Sequence, residues 1–138
     1  ISFGRFFKRA AMPVSTLDTG ALQPGLRYEY FTAPNWFYLF SHSDRIPAQK
    51  TGEGVKLLDV SMKEHEPFGV RYKGLFVAPT SGVYTFHAPD EYVRHIADPG
   101  YDLRVLVNGE EWDLGQEWHG RGVWSIPLEA GAHRFEVQ

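Results

Sequence analysis

The chain has 138 residues, 43% of them hydrophobic and 15% aromatic, and a formal net charge of −3. This supplies one two-layer core, excludes a disordered segment, and lacks the clustered basic footprint of a backbone-reading nucleic-acid binder. With no cysteine, disulfides, thiolate catalysis and cysteine-zinc sites are excluded, and no apolar run approaches the ~20 residues of a membrane span.

The chain opens at Ile1 rather than at an initiator methionine and shows no cleavable leader, so it reads as a piece of a longer protein. Residues 1–24, with Phe3, Phe6 and Phe7 among Arg5, Lys8 and Arg9, are expected to form a linker or leading strand. Residues 25–138 are expected to form the domain. Proline and glycine punctuate almost every interval after that, the spacing of an all-β sandwich or barrel. A first strand is expected over 26–31, and a helical turn over 34–43, where Pro34, Asn35 and Ser43 sit among aromatics. A second strand is expected over 54–58.

The stretch 68–86 carries the strongest local signal. Phe68, Val70, Tyr72, Gly74 and Phe76 share one face at period two and Arg71 and Lys73 share the other, the pattern of a half-buried strand. Pro79-Thr80-Ser81-Gly82 is a turn, and 83–87 is β-branched and aromatic, so a hairpin is expected. A second hairpin joins 103–107 to 110–114 through Asn108-Gly109, whose residues suit the paired positive φ of a type I′ turn. Further strands are expected over 123–128, with Trp124, Ile126 and Leu128 toward the core, and over 133–137. There His133, Phe135 and Val137 point one way and Arg134 and Glu136 the other. The last strand runs to the final residue, a second sign of excision.

Six histidines (His42, His65, His87, His95, His119, His133) are scattered, none in an i, i+4 pair. No serine stands in a strand–turn–helix elbow; carboxylates pair at Glu64/Glu66, Asp90/Glu91 and Glu110/Glu111, of which Glu110/Glu111, after a hairpin turn, read as a solvated edge. The chain by itself is therefore expected to be non-catalytic. Between residues 90 and 108, however, Asp90, Glu91, Asp98, Asp102 and Asn108 crowd oxygen donors into one loop and the strand after it. Such oxygens suit calcium, which takes six to eight of them in flexible geometry, and also suit the hydroxyls of a sugar. Asp90, Glu91 and Asp98 are the candidate metal ligands. Trp118, in the glycine-rich stretch 115–122, offers an indole face on which the apolar side of a sugar ring would stack.

Four motifs in order resemble the anthrax-protective-antigen-type domain, the PA-fourteen family of β-sandwich modules. Gly25-Leu-Arg-Tyr-Glu-Tyr30 resembles its opening strand. The run 68–74, followed by Val77-Ala-Pro-Thr-Ser-Gly-Val-Tyr-Thr-Phe86, is similar to its central hairpin. Leu103-Arg-Val-Leu-Val-Asn-Gly109 resembles its aspartate-glycine hairpin, with Asn108 in the aspartate's place, and Ile126-Pro-Leu-Glu-Ala-Gly-Ala-His133 resembles its closing turn. The resemblance spans the chain from about residue 25. It implies an accessory module of an extracellular or periplasmic, secreted or cell-surface glycan-active protein, binding carbohydrate or positioning a neighbouring catalytic domain. In the family's lectins two successive aspartates after the central hairpin hold calcium. Here Asp90-Glu91 takes about that place, 92–101 is inserted, and Pro99 follows Asp98 where a second aspartate would stand.

Overall fold

The computed structural model describes Pro13 and residues 22–87, 104–112 and 123–138. Among the described residues, eight strands and one short helix follow in the order β1 (Leu26–Thr32), α1 (Trp36–His42), β2 (Lys50–Val55), β3 (Phe68–Ala78), β4 (Gly82–His87), β5 (Val105–Val107), β6 (Glu110–Trp112), β7 (Val123–Leu128) and β8 (Gly131–Val137). They form a six-stranded sheet, β2-β1-β3-β8-β5-β6, and a two-stranded sheet, β4-β7. Every pairing is antiparallel. The all-β class expected from the breaker spacing is what the chain adopts, with sandwich character.

The expected hairpin over 68–86 does not form. β3 pairs with β1 and β8, whereas β4 pairs with β7 in the other sheet. The Pro79–Ser81 turn is instead a corner that carries the chain from one sheet to the other. Ala78 is the last β3 residue in the ladder, opposite Gly131, and Pro79 has no N–H with which to extend it. The tyrosine hydroxyl of Tyr84 donates to the Thr80 carbonyl and accepts from the Thr80 N–H, which fixes the reversal. The β7–β8 connection is a second corner beside the first, and the Ala130 N–H donates to Ser81 Oγ at 2.9 Å across the two.

Between the sheets lie Tyr30, Phe68, Val70, Tyr72, Val105, Val107, Ile126, Leu128, Phe135 and Val137, all buried. Ile126 is 0% exposed, a burial that stabilises by about 1.5–3 kcal/mol. Two strands cannot cover six, and the loop between β2 and β3 covers the remainder with Leu58, Val60 and Met62. Two tyrosines tie that loop down. Tyr30 Oη accepts from the Glu64 and His65 N–H groups at 3.1 and 3.0 Å, and Tyr72 Oη donates to the Asp59 carbonyl at 2.6 Å.

β1, β7, β8 and α1 fall where the sequence puts them, and Asn35 caps α1 by accepting from the Tyr38 N–H at 2.7 Å. β2 begins four residues before its expected start. Gly52 pairs with Tyr28, whose ring occupies the space a side chain at 52 would need, so glycines that dilute the strand signal are what the register requires. Leu58, expected to end that strand, has φ 63 and lies in the turn after it.

Candidate functional site

β4 crosses over β3 and β8: the rings of Tyr84 and Phe86 meet Phe76 at 5.4 and 5.1 Å, and Phe86 meets Phe135 at 5.2 Å. The strand thus advances from Phe76 toward Phe135. Two residues further along β8 is Val137, opposite Val105, which is in turn opposite Trp112. His87, at the far end of β4, is opposite Val123. Consequently the chain leaves the framework at His87 and Trp112, and rejoins it at Arg104 and Val123, all at the end of the sandwich away from the two corners. These four residues mark one rim of strand ends.

Asp90, Glu91, Asp98, Asp102 and Trp118 belong to segments 88–103 and 113–122 and lie outside the described residues, as does the side chain of Trp124. Asn108 is described, and it sits at the other end of β5, about 10 Å from that rim at 3.3 Å per residue. It and Gly109 have φ of 52° and 81°, the paired positive values of the expected type I′ turn. Asn108 Oδ1 accepts from the Arg134 N–H at 2.9 Å, which turns its amide nitrogen toward His133 Nδ1 at 3.2 Å. His133 is fully buried and its Nε2 meets the Glu129 carbonyl at 2.6 Å, so Nε2 carries the donated proton. Asn108 thus joins the β5–β6 hairpin to the β7–β8 corner.

The outer face of the six-stranded sheet departs furthest from the sequence reading. Arg71, expected to face solvent, is 6% exposed. Its guanidinium lies 4.2 Å above the Phe31 ring, donates to Glu29 Oε2 at 3.1 Å and to the Ile46 carbonyl at 2.6 Å, and also donates to the Ser43 carbonyl. Phe31, Leu39 and Ile46 form a second small core under α1. Lys73 remains near the surface and donates to Glu29 Oε1 at 2.7 Å. That hydrogen bond, with the one from Arg71, holds the Glu29 carboxyl below its usual value against the opposing effect of burial.

Arg104, the first described residue after segment 88–103, gathers the same loop from the side of the rim. Its Nε and Nη2 fork onto the Glu111 carboxylate at 3.0 and 2.8 Å, and its Nη1 donates to Asp44 Oδ1 at 2.8 Å and Gln138 Oε1 at 3.3 Å. Its backbone N–H and carbonyl exchange two 2.9 Å hydrogen bonds with Gln138. Burial pushes the Asp44 carboxyl up, but the hydrogen bond and charge of Arg104 outweigh it and leave the group below its usual value. Neither arginine cluster was legible as such in the sequence. The visible signal was only Arg71 on the outward register of its strand and an arginine at 104 in the run 103–107.

Two shallow depressions of ≈ 260 and ≈ 230 Å³ flank Lys73 on this face, the first lined by Arg27, Glu29, Thr51 and Glu53 and the second by Leu106, Arg134 and Glu136. Their acids and bases alternate. A carboxyl held down, like Glu29, is a hydrogen-bond acceptor and not a general acid near neutral pH. Among the described residues no three His, Asp or Glu side chains converge as metal ligands, and no helix is long and apolar enough to cross a membrane. α1, in contrast, presents Trp36, Phe37 and Tyr38 at 40%, 79% and 41% exposure. Comparison of the chain with protein-family models, curated proteins and solved structures gave no match in any of the three.

Proposed function

We propose that this chain is a non-catalytic accessory module of the protective-antigen type, binding carbohydrate at the rim of strand ends that bears segments 88–103 and 113–122. It would serve a secreted or cell-surface glycan-active protein, extracellular or periplasmic. One observation supports the reading: β4 ends at His87 and β6 at Trp112, both at the end of the sandwich away from the two corners, and the sequence that follows these two residues holds Asp90, Glu91, Asp98, Asp102 and Trp118. Oxygen donors and a stacking indole attached to one rim are the two chemistries a sugar requires. Asp90, Glu91 and Asp98 are carboxylates of the hard-oxygen kind that calcium prefers, and calcium would supply coordination to vicinal sugar hydroxyls. The test is a glycan array with and without chelator, together with calcium titration of thermal unfolding. No binding at millimolar sugar and no calcium-dependent shift in Tm would remove the ligand half of the proposal.

The exposed aromatic run of α1 favours a second reading, a structural module that packs against a neighbouring domain and takes no sugar. Phe37 at 79% exposure is the sort of side chain that anchors a protein interface when a partner covers it. Self-association of the isolated chain, abolished by Phe37→Ser while any glycan binding persists, would favour this reading.

A further inference from the structure

A row of side chains crosses the outer face of the six-stranded sheet: Glu53, Arg27, Lys73, Glu136 and Leu106. Arg27 is opposite Lys73, Lys73 opposite Glu136, and Glu136 opposite Leu106, while Arg27 meets Glu53 at 3.6 Å. Lys73 lines both depressions, the ≈ 260 Å³ one shared by β2, β1 and β3 and the ≈ 230 Å³ one shared by β3, β8 and β5. Their centres are two strand spacings apart, about 10 Å. Each is smaller than the roughly 300 Å³ at which sites for drug-sized molecules begin. Each therefore suits one ring-sized group, and the pair suits a short chain of them.

The chemistry of the two linings selects the chain. The cations Arg27, Lys73 and Arg134 are matched by the acids Glu29, Glu53 and Glu136. A polyanion laid here meets a carboxylate beside every cation, and a polycation meets the reverse. A hydroxyl donates once and accepts twice, so it bonds to carboxylates and to cations alike. Lys73 and Glu29 already hold each other at 2.7 Å, and Arg71 holds the other Glu29 oxygen. A ligand thus finds a donor and an acceptor in place, and its binding orders little. Thr51, opposite Glu29, adds a hydroxyl to the first depression, and Leu106 gives the second an apolar wall.

We propose that the outer face around Lys73 is a second ligand surface, taking a neutral, hydroxyl-rich oligosaccharide laid across the strands from β2 to β5. This rests on the module being a carbohydrate binder, but not on the rim. The test is NMR of the nitrogen-labelled chain, titrated to millimolar with neutral hexasaccharides of glucose and of mannose and with a hexuronate of the same length. Amide shifts are expected to move at Thr51, Lys73 and Arg134 with a neutral chain, and to move less with the hexuronate. Lys73→Met removes the donor common to both depressions and is expected to weaken the neutral chain about tenfold, the size of losing one charge-assisted contact. Thr51→Trp fills the first depression from an exposed position, leaves the Lys73–Glu29 pair intact, and is expected to weaken it by at least as much. This second variant decides the matter if Lys73→Met fails to fold. Unchanged affinity in the variants would overturn the surface, and hexuronate binding as tight as the neutral chain's would overturn the ligand class. Shifts confined to His87, Arg104, Trp112 and Val123 would overturn this surface and leave the rim as the sugar site. Shifts confined to the face around Lys73 would uphold it and remove the rim. No shift with any of the sugars would overturn both.

Discussion

The two faces of the six-stranded sheet are built on different physical terms. Its inner face is apolar and period-two, with Tyr30, Val70, Tyr72, Val107, Phe135 and Val137 buried against the smaller sheet and the loop between β2 and β3. Its outer face is an ionic layer in which Glu29, Lys73, Arg71, Arg104, Asp44 and Glu111 pair under and beside the α1 loop. Alternation reveals which residues share a face, because side chains in a strand repeat every two residues. It does not reveal what lies on top of the second face. Arg71 and Lys73 have the same register, yet the loop after α1 covers one and solvent reaches the other.

Breaking the outer face at its buried cation should have the largest effect. Arg71→Ala leaves the Ser43 and Ile46 carbonyls without their donor and removes one of the two cations that bond Glu29. Loss of one partner from a buried pair costs about 3–5 kcal/mol, and urea unfolding is expected to show a change of that order. If Arg71→Met costs under about 1 kcal/mol, the site is packing and not ionic. The inner face should respond more mildly to a matched change. Ile126→Val removes one methylene from a side chain that is 0% exposed, with an expected cost of about 0.5–1.5 kcal/mol. A larger value for Ile126→Val than for Arg71→Ala would reverse the ranking of the two faces.

Where local chemistry forces a single backbone answer, the sequence was sufficient. Asn108-Gly109 demands positive φ at two successive residues, and that gave the β5–β6 hairpin. His133, Phe135 and Val137 alternate against Arg134 and Glu136, and their burial follows that order. The stretch 68–86 shows the limit. A turn of Pro, Thr, Ser and Gly between two β-rich runs is compatible with a hairpin and with a corner between sheets. The choice is made by β7, whose Trp124 pairs with Phe86 from nearly forty residues away. The candidate site was legible only as residue chemistry. Its carboxylates and Trp118 lie outside the described residues, and Asn108 reads as an oxygen donor until its bonds to His133 and Arg134 are known.

Acid should weaken the outer face selectively. The Glu29 carboxyl lies below its ordinary 4.5 in the folded chain, through Lys73 first and Arg71 with it. A lowered folded value means that its contribution is present above pH 4.5 and is lost as pH falls through the folded value. The stability gap between the parent and Glu29→Gln is therefore expected to narrow steadily below pH 4.5, measured by urea unfolding across the acid range. Asp44 acts in the same direction from its ordinary value of 3.8 downward. A gap that stays constant on acidification would mean that Glu29 contributes through hydrogen bonding alone, and the ionic description of this face would fail.

The smallest effect on stability is expected at the part of the outer face that no described residue covers. Phe37 has no contact in either core cluster, while Leu39, two residues on, is 5% exposed and packs with Phe31 and Ile46. Phe37→Ser should change unfolding free energy by no more than about 0.5 kcal/mol, and Leu39→Ala should cost about 2–5 kcal/mol. An apolar ring held on a helix whose neighbour Leu39 is packed in a core has part of its freedom already restricted, the condition under which binding loses less entropy. If Phe37→Ser proves strongly destabilising, the ring is covered by the chain itself and the second reading of this module loses its support. If it is neutral, the contrast between the faces sharpens: one apolar surface is spent on folding, and the other remains available for recognition.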